Sequence, residues 1–174
     1  PFDVQQVQAD FVVADGHKWM LGPEGIALFY SRKEIRQQLR LNQFGWHMLT
    51  NPGDFDASDW SPAASGTRFE CGSPNMLGIH ALSTSLGLIM ELGMESIEQQ
   101  LLEKTGLLIE LIEDSSGLVS LLSDKGSARR SGIVSFKIPG ADSRRVYHQL
   151  MSDGVICACR VRGIRFSPHF YTPC

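Results

Sequence analysis

A lysine stands in a short polar turn between two runs of β-forming residues. The runs are residues 11–14 (Phe-Val-Val-Ala) and residues 26–30 (Ile-Ala-Leu-Phe-Tyr). Apolar and aromatic runs that are bounded by glycine, proline and aspartate are typical of strands. The residues after the first run, 15–18, read Asp-Gly-His-Lys, and residues 22–25 read Gly-Pro-Glu-Gly. Lys18 is therefore predicted to lie at the end of one buried strand, on the turn into another.

This position suggests a reactive amine. Lys18 is followed by Trp19, Met20 and Leu21, which predicts that its side chain is partly desolvated. Desolvation lowers the pKa of an amine, and a neutral amine can attack a carbonyl carbon. On composition alone an exposed lysine at a strand end is the simpler interpretation, because lysine is rarely buried without a partner.

Composition excludes several classes of partner. The chain has 174 residues, of which 43% are hydrophobic and 20% charged, as in a soluble globular protein with a core of its own. A net charge of −3 argues against a nucleic acid or an anionic membrane as partner. No apolar run approaches the length of a membrane span, and residues 1–4 lack the features of a signal peptide.

The cysteines do not indicate a metal site. They are Cys71, Cys157, Cys159 and Cys174, and the single close pair has one intervening residue. Structural zinc sites usually combine two close pairs at wider spacing. We therefore expect no metal, reduced thiols in a cytoplasmic protein, and Cys157 and Cys159 on the same face of one strand.

The rest of the chain divides into helical and strand-rich parts. Apolar periodicity predicts a short helix over 33–39 and two long helices over 75–92 and 94–113. Residues 42–72 are rich in glycine, proline, asparagine, aspartate and serine, which predicts a long irregular segment. Beyond residue 117 the pattern predicts one helix, with Asp142 as its N-cap, among four strands; the helix covers 142–151, and the strands cover 118–122, 132–138, 154–159 and 164–167.

Three segments resemble one known family. Residues 10–30 resemble the lysine segment of the class V aminotransferases, pyridoxal-phosphate enzymes of fold type I that include the cysteine desulfurases. Residues 68–75 (Arg-Phe-Glu-Cys-Gly-Ser-Pro-Asn) resemble the family's Arg-Phe-Glu-x-Gly-Thr-x-Asn. Residues 163–171 (Gly-Ile-Arg-Phe-Ser-Pro-His-Phe-Tyr) resemble its Arg-x-Ser-Pro-His-x-Tyr. The three occur in the family's order, which indicates the family more strongly than any one reaction.

The resemblance implies an α/β fold, namely the C-terminal part of a pyridoxal-phosphate transferase. Residues 1–93 would form the end of the large domain with the lysine segment. Residues 94–174 would form a linking helix and the small α/β domain. Family members are far longer, so we expect this chain to be a fragment without the glycine turn, the stacking ring and the aspartate that hold the cofactor. Alone it should bind the cofactor poorly and be inactive.

The resemblance also assigns cofactor residues. Lys18 matches the Schiff-base lysine, which also carries the substrate's α-proton. His17 matches a position that contacts the cofactor phosphate. Ser73 matches a threonine whose hydroxyl reaches that phosphate across a dimer interface, which implies a homodimer. Ser73 could instead, or in addition, cap the helix that follows it.

The third segment assigns substrate residues. Arg165 matches the arginine that binds the α-carboxylate of the substrate, because a guanidinium can donate two parallel hydrogen bonds to it. Arg160 is a weaker candidate for the same role, and Arg162 could be ordinary surface charge. The expected substrates are amino acids and keto acids.

Two departures bear on the reaction. Asp15 stands where desulfurases usually carry a serine that binds the phosphate, and a carboxylate would repel it. We expect Asp15 to point toward the backbone of its own turn, which favours an aminotransferase or an epimerase-like enzyme. Desulfurases also carry a nucleophilic cysteine on a loop before the arginine motif, whereas here residues 160–163 (Arg-Val-Arg-Gly) join the strand directly to that motif and contain no cysteine. The preferred function is a class V aminotransferase. The alternatives are a desulfurase, epimerase or lyase, or a truncated chain without cofactor and activity.

Overall fold

The structure is a computed structural model that describes residues 2–126, 128–160 and 162–173. The chain forms two compact units that divide between Glu91 and Leu92. The fold is mixed α/β, as expected. The assignment of residues 1–93 and 94–174 to a large and a small domain stays a prediction. The interpretation of Cys174 as a reduced thiol lies outside the described residues.

A two-stranded hairpin opens the first unit. Strand β1 (Phe11–Asp15) pairs in antiparallel fashion with strand β2 (Ala27–Ser31). The strands were predicted correctly, but they are not buried, since the Val13 side chain is 70% exposed. Within the described residues these two strands pair only with each other, and a lone hairpin cannot cover both of its faces.

A long irregular segment follows, as the composition predicted. Its regular parts are three short 3₁₀ helices, over Lys33–Gln38, Trp46–Met48 and Gly66–Phe69. The first corresponds to the helix predicted over 33–39. The second and third pack together around the fully buried Met48, and the His47 N–H donates to the Cys71 carbonyl oxygen at 3.3 Å.

Helix α1 (Met76–Leu92) begins at a side-chain cap. The Asn75 Oδ1 accepts a hydrogen bond from the Gly78 N–H at 3.0 Å. Asn75 therefore fills the capping position that the sequence left open for Ser73. The helix buries Gly78, Leu82 and Ile89 on one side.

The second unit combines two helices with a sheet. Helix α2 (Met94–Glu113) buries Ile97, Leu101, Thr105 and Ile109 at helical spacing. The Thr105 hydroxyl is fully buried and donates to the Leu101 carbonyl oxygen at 2.8 Å, so its polar group is satisfied.

The sheet has four antiparallel strands in the order β3-β4-β6-β5. The strands are β3 (Ser120–Leu121), β4 (Val134–Lys137), β5 (Ala158–Arg160) and β6 (Gly163–Phe166). Helix α3 (Ser143–Ser152) lies between β4 and β5 in the chain. One face carries the buried side chains of Phe136 and Ile164, which lie opposite each other.

Three strands, β3, β4 and β5, are shorter than predicted. The Val155 N–H still donates to the Leu150 carbonyl oxygen at the end of α3, so strand pairing starts only at Ala158. Leu118 is likewise held in a turn by the Ser115 carbonyl oxygen. Cys157 therefore precedes β5 instead of lying within it.

No single helix in the described ranges is long and apolar enough to cross a membrane.

Asp142 is the N-cap of α3, as predicted, because its Oδ1 accepts from the Arg144 N–H at 3.0 Å. Asp142→Ala should lower the free energy of unfolding by about 1 kcal/mol, because that N–H loses its partner. Asp142→Asn keeps the acceptor and should stay within a few tenths of a kcal/mol. Urea unfolding measures both, and equal losses in the two variants would contradict the capping role.

Gly45 allows the segment around Trp46–Met48 to touch the chain near Ser73. A Cβ at Gly45 would lie 2.0 Å from the Cys71 carbonyl oxygen, whereas one at Gly53 would meet nothing within 4 Å. Gly45→Ala should therefore destabilise the protein by about 1–3 kcal/mol, and Gly53→Ala by much less. Thermal unfolding followed by circular dichroism distinguishes them. A Gly45→Ala variant as stable as Gly53→Ala would refute the close approach.

Candidate functional site

The turn that carries Lys18 is closed by backbone hydrogen bonds. The Gly16 N–H donates to the Ile26 carbonyl oxygen at 3.0 Å, and the Gly22 N–H donates to the Gly16 carbonyl oxygen at 2.8 Å. A Cβ at Gly16 would lie 2.8 Å from that Ile26 oxygen, so glycine is needed there. Lys18 therefore lies in a loop whose two ends are fixed by glycine contacts.

The Lys18 side chain is exposed, at 69%. The expected desolvation is thus wrong for this chain, because the turn projects from the end of a two-stranded hairpin. Trp19 and Met20 are themselves only half-buried, and His17 is exposed beside Lys18.

Asp15 is the ion-pair partner of Lys18. The Lys18 ammonium donates to the Asp15 Oδ2. This hydrogen bond and the charge of Lys18 lower the pKa of the Asp15 carboxyl, with a smaller contribution from His17. The expectation that Asp15 points toward the backbone of its turn is therefore wrong. The Lys18 ammonium, three residues along the chain, is a stronger hydrogen-bond donor than a backbone N–H.

The start of α1 lies against the lysine turn. The Asn75 Nδ2 donates to the Gly25 carbonyl oxygen at 3.5 Å. The Leu82 Cδ1 lies 2.8 Å from the position that a Cβ would take at Gly22. The side chain of Leu82 in α1 therefore packs directly against the backbone of the lysine turn. Ser73 is exposed two residues before Asn75, and its hydroxyl makes no hydrogen bond with any residue that the structure describes. The fold thus brings the Ser73 segment to the Lys18 turn.

The first unit also contains a His47–Glu70 contact and a buried arginine, Arg68, which the sequence did not identify as site residues. The His47 Nδ1 lies 3.7 Å from the Glu70 Oε2, and the two residues join the second and third 3₁₀ helices. Arg68 is only 8% exposed, and its guanidinium lies 5.9 Å from the Phe69 ring centre without an ion pair in the described ranges. The irregular composition of residues 42–72 carries no periodic signal that could have predicted these contacts.

The two candidate arginines lie on the sheet of the second unit. Arg165 in β6 is opposite Ser135 in β4 and Ala158 in β5, and Arg160 is opposite Gly163. Because alternate residues share a face, this register puts Arg160 and Arg165 on the same face of the sheet.

The two guanidinium groups differ in their partners. Arg165 is half-buried, and its buried Nε has no hydrogen-bond partner in the described part of the chain. Arg160 is exposed, and its Nη1 donates to the Cys159 carbonyl oxygen at 3.0 Å. Arg162 is exposed as well. Of the three arginines, Arg165 is therefore the best placed to bind a carboxylate, because its buried Nε–H is available as a donor.

An open groove of about 770 Å³ runs between α3 and β5. Tyr147, His148 and Arg160 line it together with Cys157 and Cys159. Both cysteines are free thiols, and burial, with a smaller effect from Cys159, raises the pKa of Cys157. A thiol held in its protonated form is a poor nucleophile.

Lys18, His17 and Ser73 belong to the first unit, and Arg160 and Arg165 belong to the second. In the first unit, Asn75, two residues after Ser73, contacts the lysine turn at Gly25, and in the second unit Arg160 and Arg165 share one face of the sheet. Their assignment to cofactor and substrate roles stays a prediction.

Comparison with known proteins identifies relatives along nearly the whole chain. The family model for aminotransferase class-V matches residues 1–163. A probable cysteine desulfurase of Staphylococcus epidermidis is 31% identical over 153 residues, which are 88% of this chain and 36% of that protein. An uncharacterized aminotransferase of Bacillus subtilis is 29% identical over 176 residues, covering 98% of this chain and 44% of the relative.

Solved structures agree on the fold. The apo cysteine desulfurase from Thermococcus onnurineus superposes with a TM-score of 0.83 at 23% identity, over 98% of this chain and 44% of that one. The chain thus spans less than half the length of the relatives it matches. It belongs to the class V aminotransferase family, whose members are pyridoxal-phosphate enzymes that include cysteine desulfurases.

Proposed function

We propose that this chain is part of a pyridoxal-phosphate-dependent aminotransferase of class V, in which Lys18 holds the cofactor covalently. The observation that carries the proposal is the accessible primary amine of Lys18 on a glycine-closed turn beside the start of α1. The match to the class V family model over residues 1–163 supports it.

The chemistry of the residues present fits this cofactor. A carbonyl compound can reach the Lys18 amine because that side chain is exposed. The Ser73 hydroxyl has no partner within the described residues and can donate to a phosphate oxygen. His17 on the same turn offers a second donor. The Asp15 carboxylate would repel a phosphate, but its pairing with Lys18 offsets that charge.

The cofactor, when bound, supplies an electron sink for the carbanion at the substrate's α-carbon. With the cofactor bound, Lys18 would be the base that takes the α-proton and the acid that returns it. His17 and Ser73 would bind the cofactor's phosphate. Arg165 binds the α-carboxylate through two parallel hydrogen bonds, which orients the α-proton. Arg160 is the weaker candidate because one of its donors is already used by the Cys159 carbonyl oxygen.

A desulfurase is the second candidate, because named relatives carry that activity. Two observations make it less favoured. In the sequence, two residues, Val161 and Arg162, separate β5 from β6, and neither is a cysteine. Burial raises the pKa of Cys157, which disfavours the thiolate that a desulfurase nucleophile needs. An epimerase or a lyase would use the same residues, and a direct assay of amino-group transfer to a keto acid separates these from an aminotransferase.

The exposed apolar side chains of α1 support a homodimer. Met76, Leu77 and Met90 are all exposed on this helix. An apolar surface of this kind favours association. A dimer would also allow Ser73 of one subunit to reach the cofactor of the other, as the family resemblance implies.

Lys18 is expected to carry the cofactor. Pyridoxal phosphate is added to the longest available form of the protein, the product is reduced with borohydride, and the peptides are mapped by mass. The pyridoxyl group should be found on Lys18, because its amine is accessible and lies in the turn beside Ser73. Lys33 and Lys137 serve as internal controls. A label mainly on either of them would sink the assignment, and equal low labelling of all three would favour the cofactor-free interpretation.

Arg165 is expected to bind the substrate carboxylate. In the full-length enzyme, Arg165→Lys should cost about 2–4 kcal/mol in transition-state binding, because lysine cannot form the bidentate contact. Arg160→Lys is the matched variant and should cost much less. Steady-state kinetics measure the loss in kcat/KM, and the cofactor absorption spectrum should be unchanged in both. Wild-type kcat/KM in Arg165→Lys would refute the role.

A further inference from the structure

Strand β5 lies at one end of the four-stranded sheet and contacts helix α3. Within the described residues it pairs only with β6, so its other side has no backbone partner there. An open groove of about 770 Å³ runs between β5 and α3. An unpaired strand edge is a template for a further strand, and proteins usually cover or block such edges.

The hydrogen bonds of β4 show the direction in which the peptide groups of the sheet point. The Leu122 N–H donates to the Ser135 carbonyl oxygen at 2.8 Å, and the Ser135 N–H donates to the Ser123 hydroxyl oxygen at 2.8 Å. Both polar backbone groups of Ser135 therefore point away from β6. Ser135 lies opposite Arg165 in β6, so these two residues form one of the pairs of an antiparallel ladder that exchange no hydrogen bonds.

The same alternation continues into β5. Since the Arg165 backbone does not bond to β4, its N–H and C=O point to β5, where Arg165 lies opposite Ala158. Ala158 is thus bonded to β6, and the next residue, Cys159, directs its N–H and C=O to the open edge. The Cys159 carbonyl oxygen accepts a hydrogen bond from the Arg160 Nη1 at 3.0 Å, so a side chain stands where a neighbouring strand would donate.

The groove follows this edge. Successive side chains of a strand point to opposite faces of the sheet, so a groove on one face would be lined by every second residue. Instead, the four consecutive residues 157–160 all line the groove, which places it along the edge where the peptide groups of β5 can be reached. The opposite wall is formed by the first turns of α3 and its N-cap, with the lining residues Asp142, Ser143, Arg144, Tyr147 and His148.

The charge of the groove is positive. Arg144 and Arg160 are both exposed and line it, and His148 adds a further nitrogen group. Asp142 is the acidic residue among the described lining residues, and its carboxylate already accepts from the Arg144 N–H at the start of α3. The whole chain has a net charge of −3, so two guanidinium groups in one groove are a local excess of positive charge. Such a groove favours an acidic partner.

We propose that this groove binds an extended acidic peptide, which adds to β5 as a further strand of the sheet. The backbone of the peptide pairs with Cys159, and its acidic side chains contact Arg144 and Arg160. A peptide N–H replaces the Arg160 Nη1 at the Cys159 carbonyl oxygen, and the released guanidinium then binds an acidic side chain. Main-chain pairing supplies the affinity and the two arginines supply the selectivity. This binding requires no cofactor.

The first experiment tests the selectivity. A fluorescein-labelled peptide of sequence Val-Glu-Val-Glu-Val-Glu is added to the purified protein, and binding is measured by fluorescence anisotropy. The peptide Val-Lys-Val-Lys-Val-Lys has the opposite charge and should bind about tenfold more weakly or worse. Arg144→Glu should weaken binding of the acidic peptide about three- to tenfold. Arg145→Glu is the matched control, because Arg145 is exposed on the same helix but does not line the groove, and it should change the affinity less than about twofold.

The second experiment tests the strand pairing. Cys159→Pro removes the outward N–H, which an edge strand tolerates, and should weaken binding about tenfold through the lost hydrogen bond. Cys159→Ala keeps that N–H and should bind like the wild type. Circular dichroism checks the fold of both variants. In the unmodified protein, the acidic peptide should also slow hydrogen exchange at the Cys159 N–H, a readout that does not depend on the proline variant.

Three results would overturn the proposal. The first is equal affinity for the acidic and basic peptides, or equal losses in Arg144→Glu and Arg145→Glu. The second is binding of the acidic peptide without protection of the Cys159 N–H. The third is self-association of the protein that Cys159→Pro abolishes in light scattering, because the edge of β5 would then be occupied by a second copy of the chain.

Discussion

The closed turn at Gly16 and Gly22 is the constraint on which the candidate cofactor site depends. Its hydrogen bonds to Ile26 and within the turn tie β1 to β2 at the point where the chain must present Lys18. A side chain at Gly16 would collide with the backbone of Ile26, so the close approach requires glycine. Leu82 of α1 packs against the same glycines, which brings the Ser73 segment to the lysine.

The sequence predicted the elements that have a clear period and missed the details that depend on contacts. Helices α1 and α2 and the N-cap Asp142 follow from apolar spacing and capping chemistry. The burial of β1 and β2 was predicted wrongly, because an apolar run shows that a strand can be buried but not whether another layer covers it. The late start of β5 depends on how the chain leaves α3, and no local pattern shows that.

In the candidate site, too, the sequence predicted the residues but not their contacts. Motif resemblance singled out Lys18, Ser73 and Arg165, and the fold places Ser73 near the lysine turn. The Asp15–Lys18 ion pair was not predicted, although the i to i+3 spacing of opposite charges was visible in the sequence. Repulsion from a phosphate predicts only where the Asp15 carboxylate does not point, and a carboxylate beside an ammonium gains more from that pair than from its own backbone.

The most direct test of the account is a crystal structure of a longer form of the protein that includes this chain, grown with pyridoxal phosphate. The account predicts continuous electron density from the Lys18 Nζ to the cofactor, with the Ser73 hydroxyl and His17 at the phosphate and the Arg165 guanidinium facing the substrate side. Density for the cofactor on another lysine, or a phosphate bound away from both His17 and Ser73, would contradict it.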